Sequence, residues 1–335
     1  MFGKDVAVSL VDDAFIFSTQ DQPNPLVLPA YAAVQTGSAR VLAFGGKAKD
    51  MLGRGLSDTS VIRILTEGIV MDWKIAGALF GFGLRKIQAA SFLGRPRVVI
   101  AQRSCEPKNE AVQKAAIAGG AGEVYLIEMG MATAIGMQLE ASEPEIQAVL
   151  SVSDDWFEFA VISHGSILSG MNGPIGSRHF VEDIQNHIML SRRFRPRFDA
   201  LAAQVQADGV NPQAAADVPG WETWAGRTEH GRFITKTVTR DDIAVGMMPS
   251  FMRLTERVKT VIRRLPDEAQ YLLNRTTIHT TGEALAIPGL AHMISEQIGY
   301  PVTPFASQVH PSIDGCESIS KELFSSSKTL PRWGK

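Results

Sequence analysis

One nine-residue pattern occurs twice in the chain. Ser9-Leu10-Val11-Asp12-Asp13-Ala14-Phe15-Ile16-Phe17 and Ser151-Val152-Ser153-Asp154-Asp155-Trp156-Phe157-Glu158-Phe159 both read S-φ-x-D-D-x-F-x-F, with φ apolar. Their starts, at positions 9 and 151, lie 142 residues apart. Apolar strands on either side of an Asp-Asp pair predict a β-hairpin, because Asp tolerates the left-handed conformation of a tight turn. Two such strand-turn-strand units at that distance predict two related halves. A tight turn of this kind can cradle phosphate when glycine lets the backbone N–H groups approach. Here paired acids fill it.

At 335 residues the chain is long enough for two domains, each with its own core. A net charge of −2 gives no argument for nucleic-acid binding. The two cysteines, Cys105 and Cys316, have no metal-type spacing and make no disulfide framework, which fits a reducing cytoplasm. Met1 to Asp5 carries no secretory pattern before the first strand. The most apolar stretch, Val124 to Leu139, is too short and too polar for a membrane span.

Strands are predicted over Val6–Leu10, Phe15–Ser18, Leu26–Val34 and Val41–Phe44, then a short helix from Gly45-Gly46 to about Gly53. A helix follows over Trp73–Ala90, and a buried strand over Arg97–Ala101. Pro107 opens a helix carrying Val112, Ala115 and Ala116, which Gly119-Gly120 ends. Glu123–Glu128 is the next strand, and a small-residue helix starts at Met131. The second half repeats the order. Its hairpin runs on to Ile162, and Ser177 caps a helix with Phe180, Ile184 and Ile188 on one face. Asp199–Asp217 is Ala- and Gln-rich and reads as loosely structured. A long helix over Thr239–Leu265 is capped by Asp241-Asp242 and bent at Pro249. Thr276–Thr280 is a strand, Pro288 starts a helix ending at Gly299, and the tail from Ser325 frays. Strands alternating with helices in two matched blocks predict an α/β fold with two sheets.

Four further segments carry a resemblance to MreB, the bacterial actin homologue family. Gly45-Gly46-Lys47-Ala48-Lys49-Asp50-Met51-Leu52-Gly53-Arg54 resembles the family's G-x-x-A-K-x-M-I/L-G-R/K segment. Thr66-Glu67-Gly68-Ile69-Val70-Met71-Asp72-Trp73 resembles R-D-G-V-I-A-D-F/Y. Leu126 to Gly136, reading L-I-E-M-G-M-A-T-A-I-G, resembles L-I-E-E-P-M-A-A-A-I-G. Thr280-Thr281-Gly282-Glu283-Ala284-Leu285 resembles T-G-G-G-A/S-L. They occur in family order over nearly the whole chain. The resemblance implies an actin-like (ribonuclease H-like) fold of two domains hinged over a central cleft. Domain I would be residues 1–145 plus 310–335, with a small subdomain at about 33–72. Domain II would be residues 146–309, with a small subdomain at about 190–240.

The resemblance also implies an ATP and magnesium site, and the positions matching it have changed. Where the family's first hairpin reads D-L-G-T-A-N-T, Ser9 stands at the acid, Val11 at the glycine and Asp12 at the threonine, followed by Asp13. Where the second reads D-I-G-G-G-T-T-E, Ser151 stands at the acid, and Ser153, Asp154, Asp155 and Trp156 stand at the glycines and threonine. Met129 holds the catalytic glutamate position and Gly130 the proline after it. Gly282 keeps the middle glycine of the adenosine-side motif, with Glu283 after it. The Lys and Glu that contact the base have no counterparts in Phe198–Val205.

In an actin-type cleft the four carboxylates would meet a polyphosphate. Two like charges about 4 Å apart repel by roughly 1 kcal/mol in water and about 4 kcal/mol at an effective dielectric of 20. Met129 cannot orient an attacking water. Little or no ATPase activity is expected, and no cofactor is required. Three readings of the acids stay open. They satisfy their own turns; Asp12, Asp13, Asp154 and Asp155 hold Ca²⁺ or Mg²⁺; or a cation bridges them to residual nucleotide.

Phe92-Leu93, flanked by Arg95 and Arg97, resembles the family's membrane-insertion loop, with burial between domains as the alternative. Arg192-Arg193-Phe194-Arg195-Pro196-Arg197 is the densest basic cluster, either a solvated surface or a protomer or lipid contact. The histidines lack metal-ligand spacing. The expected function is a non-enzymatic actin-like filament or scaffold that self-associates or co-assembles with an intact MreB-like protein. It would act in the cytoplasm, at the inner face of the membrane, in cell shape or membrane-associated organisation. The alternatives are an actin-fold ATPase rebuilt around a cation, and a monomeric binding module.

Overall fold

The computed structural model describes residues 3–38, 40–54, 58–66, 68–89, 94–104, 110–208, 223–228, 231–305 and 310–325. The chain divides into two compact units. Unit 1 comprises Met1–Glu145, Ile162–Ile167 and Ser307–Lys335, and unit 2 comprises Ile146–Val161 and Leu168–Ala306.

Unit 1 opens with the first hairpin, β1 (Asp5–Val11) and β2 (Ala14–Ser18), in antiparallel register from Ala7 opposite Ser18 to Val11 opposite Ala14. Asp12 takes φ 53° in the turn, the left-handed conformation that Asp tolerates. β3 (Leu26–Pro29) continues this sheet, whereas β4 (Tyr31–Gln35) belongs to another, with β5 (Val41–Phe44) and β6 (Thr59–Arg63). The single strand expected over Leu26–Val34 is therefore two. The break is Ala30, which is fully buried; its N–H donates to the Asp13 carbonyl, and its own carbonyl accepts from Ile64 N–H. α1 (Gly46–Lys49), β7 (Leu65–Thr66) and β8 (Ile69–Val70) follow. Asp72 caps α2 (Trp73–Lys86) by accepting from the Lys74 and Ile75 N–H groups. The helix stops short of Ala90 because Gln88 turns to φ 52°.

β9 (Arg97–Gln102) lies parallel to β1, α3 is described over Glu110–Ala118, and β10 (Glu123–Glu128) lies parallel to β9. The expected start of α3 at Pro107 lies outside the described residues. α4 (Met129–Gly136) begins two residues before the expected Met131, directly from the end of β10. The five-stranded sheet runs β10-β9-β1-β2-β3. The hairpin's phenylalanines anchor the core on one side of it: Phe15 and Phe17 both meet Phe80 of α2 edge-on, and all three are buried.

Unit 2 repeats the plan. β11 (Gln147–Val152), β12 (Phe157–Ser163) and β13 (Ser166–Gly173) lead into α5 (Ser177–Arg192). β14 (Arg195–Pro196), α6 (Phe198–Asp208), β15 (Thr223–Arg227) and β16 (Phe233–Thr237) form a smaller layer. α7 (Arg240–Arg263), α8 (Asp267–Leu273), β17 (Ile278–Thr281), a 3-10 turn over Glu283–Ala286, α9 (Leu290–Ile298) and β18 (Val302–Pro304) complete it. The sheet order is β13-β12-β11-β17-β18, with β14-β15-β16 separate. α10 (Pro311–Ser325) then returns to unit 1 and packs on α4 and β1.

Four expectations in unit 2 are corrected. α6 is a helix to Asp208 where the composition read as loose, because Leu201 and Val205, one turn apart, are both buried in the core; positions 209–217 lie outside the described residues. The cap of α5 is Gly176, with Ser177 as the first helical residue, and the Gly176 N–H donates to Nδ1 of His179. Thr239, not the aspartate pair alone, caps α7: its hydroxyl accepts from Asp242 N–H while Asp242 accepts from Thr239 N–H, a reciprocal capping box. Pro288 leads into α9 by way of Gly289, at φ 85°, so the helix starts at Leu290. Among the described residues no helix is long and apolar enough to cross a membrane.

Candidate functional site

In unit 1 the first acidic turn is tied to the small three-stranded sheet and α1. Lys49 Nζ lies 2.8 Å from Asp13 Oδ2 and 5.4 Å from the Tyr31 ring centroid. Burial would raise the Asp13 carboxyl, but the hydrogen bond and charge of Lys49, the Tyr31 hydroxyl and the charge of Arg63 outweigh it and hold Asp13 below the usual carboxylate range. The Lys49 ammonium is raised in turn, first by its hydrogen bond to Asp13. Val11 is buried and pairs with Ala14, so a side chain fills the position a phosphate-binding glycine would leave open. Asp12 lies where its charge reaches His310, whose imidazole burial nevertheless drives below its ordinary value.

Beneath this turn lies the position expected to lack a catalytic carboxylate. Met129 is 3% exposed at the first turn of α4. Ser9, fully buried, lies with Oγ 2.7 Å from Ser312 Oγ and 3.6 Å from Met129 Sδ. The next N–H, on Gly130, donates to Ser104 Oγ at 2.9 Å. The cluster is uncharged. Nearby Cys316, buried and not in a disulfide, has its thiol pushed up to about 12 by burial.

In unit 2 the second acidic turn sits on the N-terminus of α5. Ser153 N–H donates to the Trp156 carbonyl, closing the turn. The Ser153 and Asp154 carbonyls accept from Ser177 and Arg178 N–H at 3.0 and 3.1 Å. The Asp154 carboxylate accepts from Ser177 Oγ at 2.8 Å and from Arg178 Nη2 at 2.8 Å. Arg178 Nε lies 3.0 Å from Asp155 Oδ1, and Asp155 is only 6% exposed. First-turn donors that a helix can offer to an anion are spent on the hairpin, and Asp154 gains from the positive end of the helix dipole. Trp156 is buried beside them at 2% exposure. Gly282, at φ 104°, lies so close to β11 that a Cβ would overlap the Val152 carbonyl, which accounts for the glycine on packing grounds. Glu283 is exposed, and its carbonyl accepts from Gln206 Nε2 of α6 at 3.3 Å.

Each acidic turn is thus brought together with cations from its own unit: Lys49 and Arg63 for the first, Arg178 for the second. Sequence reasoning missed these partners. Lys49 was visible only as part of a matching segment, Arg178 only as a residue next to a helix start, and Ser312 gave no signal. Among the described residues no group of three or more His, Cys, Asp or Glu side chains could hold a metal ion. The Phe92-Leu93 pair lies outside the described residues.

Comparison with known proteins gives a consistent picture. The sequence pattern of the family described as MreB/Mbl protein matches residues 4–328. The cell shape-determining protein Mbl of Bacillus cereus is 24% identical over 327 residues, covering 92% of this chain and 93% of that protein. The cell shape-determining protein MreB of Escherichia coli K12 is 25% identical over 319 residues, covering 90% and 89%. The crystal structure of MreB5 of Spiroplasma citri bound to ADP aligns with a TM-score of 0.82 at 17% identity, over 97% of this chain and 99% of that one. The MamK double helical filament aligns at 0.73 and 14% identity, over 95% and 99%. At such identities the solved structures show the fold alone, and that fold is actin-like.

Proposed function

Because the chain belongs to the MreB/Mbl family, we propose that it is a cytoskeletal filament or scaffold protein in which ATP binding and hydrolysis are weak or lost. The observation that carries this reading is Arg178 clamped on Asp154 and Asp155 over a helix N-terminus whose donors are already engaged. The residues present do not fit a magnesium polyphosphate. An incoming phosphate would have to displace a carboxylate from Arg178 and Ser177, and at the other turn it would meet Val11 and an Asp13 already bound to Lys49. The uncharged Ser9–Met129–Ser312 cluster supplies no base to orient water. Internal ion pairs take the part that nucleotide and metal play in neutralising charge.

Self-association is part of this reading, supported by the MamK double helical filament among the aligned structures, and assembly with an intact MreB-like protein is the related case. The protein would work in the cytoplasm, peripheral to the membrane, where Phe92-Leu93 is the candidate contact. Magnesium-dependent ATP hydrolysis should fall at the buffer background, and electron microscopy of concentrated protein should show the same polymers with and without nucleotide. A turnover comparable to an intact relative would overturn the reading in favour of a rebuilt ATPase. A protein that stays monomeric under every condition, alone and with an intact relative, would leave a binding module. Changing Phe92 and Leu93 to Ser should abolish liposome co-sedimentation, and unchanged pelleting would remove the loop from the account.

A further inference from the structure

Residues 45–53 of unit 1 run as a short strap over one face of the small sheet β4-β5-β6. The helix within it, α1, is four residues long, too short to persist on its own hydrogen bonds. Past α1 the Met51 and Leu52 N–H groups donate to the Ala48 and Lys49 carbonyls and extend the turn. From Gly46 to Arg54 the one buried residue is Ala48, and Leu52 is 53% exposed. Ala48 packs on Tyr31 and Ala33, with Ala43, Met51 and Val61 at the rim. Ala33 pairs with both Ala43 and Val61, so these side chains share the face the strap covers. A segment holding so little apolar surface opens locally well before the molecule unfolds.

Both ends of the strap are glycines in the left-handed region, Gly45 at φ 68° and Gly53 at φ 74°. At Gly53 a Cβ would meet nothing within 4 Å, so the backbone conformation, not packing, calls for glycine there. Lys49 ties the strap to the first hairpin. Its Nζ passes over the Tyr31 ring and reaches Asp13 Oδ2 at 2.8 Å, in a different sheet from the one α1 lies on. The Asp13 side chain is 21% exposed against 50% for Lys49, so the pair is screened less than one wholly at the surface. The lowered Asp13 carboxyl and raised Lys49 ammonium agree with this contact, and Tyr31 and Arg63 face the same carboxylate. With so small an apolar contact beneath α1, the ion pair is a large share of what holds the strap down.

We propose that residues 45–53 form a hinged strap, with Gly45 and Gly53 as its joints and Lys49 on Asp13 as its latch. Released, the strap frees the Asp13 carboxylate and uncovers the Tyr31–Ala33–Ala43–Val61 face while both sheets stay folded. The device couples the first acidic turn to the small sheet, since neutralising either charge opens the strap. It lies wholly within unit 1 and does not depend on whether nucleotide binds.

Hydrogen–deuterium exchange of the full chain, read by mass spectrometry on peptides spanning 45–54, tests the proposal. Lys49→Gln and Asp13→Asn should each speed exchange of the Lys49, Asp50, Met51 and Leu52 amides about threefold or more, with β9 and β10 unchanged. Lys49→Arg, which keeps the charge, should hold the parent rate. Trypsin should nick Lys49→Gln after Lys47 or Arg54 sooner than it nicks the parent. Should Asp13→Asn fold poorly, the two Lys49 variants carry the test, because that side chain is half exposed and its loss leaves the cores intact. Exchange over 45–54 that is unchanged in Lys49→Gln, or a rise there matched across the five-stranded sheet, overturns the latch.

Discussion

Arg178 reaches two carboxylates at once, Nη2 to Asp154 and Nε to Asp155. Removing one partner of a buried pair costs about 3–5 kcal/mol, but Arg178 is 39% exposed and water would soften the loss. Arg178→Ala should therefore destabilise unit 2 by about 2 kcal/mol. Urea unfolding followed by a probe in unit 2 measures this, and an unmoved midpoint would show that the pair contributes nothing. At the other turn, the depressed Asp13 carboxyl favours the folded state above its unfolded value, near 3.9. That contribution fades as pH falls through the lower folded value. Asp13→Asn should flatten this acid limb, so that the stability gap between variant and parent narrows as pH drops; a gap constant with pH would contradict the ion pair. The acids were legible in the sequence as a repeated word, but their partners were not. Lys49 is 36 residues from Asp13, Arg178 is 24 from Asp154 and Ser312 is 303 from Ser9, and no periodicity links residues that only the fold brings together.

Helices α5 and α7 meet at a proline. Pro249 offers no N–H to the turn before it, and the following N–H, on Ser250, donates to Asp183 Oδ2 of α5 at 2.9 Å. Arg253 backs this link, with Nη2 on Ser250 Oγ. Asp183→Ala should cost about 1–3 kcal/mol, the range for leaving a buried donor unsatisfied, and calorimetric melting reads it directly. Between α4 and α10 the fit is closer still: a Cβ on Gly315 would overlap the Ala132 carbonyl, and one on Gly136 the Pro311 carbonyl. Gly315→Ala should destabilise unit 1 by about 1–3 kcal/mol through overpacking, and a neutral result would mean the helices slide apart freely. Elements with a strong stripe were readable. Phe180, Ile184 and Ile188 mark the inner face of α5, and all three are fully buried. α6 escaped notice because only Leu201 and Val205 mark its face amid Ala and Gln, and the break at Ala30 did because a small buried residue interrupts no hydrophobic run.

The duplicated plan was legible as two hairpins followed by matched strand and helix blocks, and each unit builds a five-stranded sheet from its own hairpin. The acidic turns were legible too, as a repeated residue pair; how each unit neutralises its own acids was not, since that depends on helix ends and side-chain reach. The units differ in how they are closed. The buried core of unit 2 ends at Ile298, whereas unit 1 is completed by α10, which packs on α4 and β1. Deleting 311–325 should abolish amide-exchange protection in β1 and α4 while β11 and α7 keep theirs; equal loss in both would show that the units fold as one. During synthesis this closure imposes a delay. Ser9 leaves the ribosome 303 residues before Ser312, its bonding partner, which at about 5–20 residues per second is a wait of roughly 15–60 s. Through that interval the face of β1 that α10 will cover stays open while the chain of unit 2 is finished, and the nascent protein passes through a stage in which a holding chaperone has a defined surface to grip.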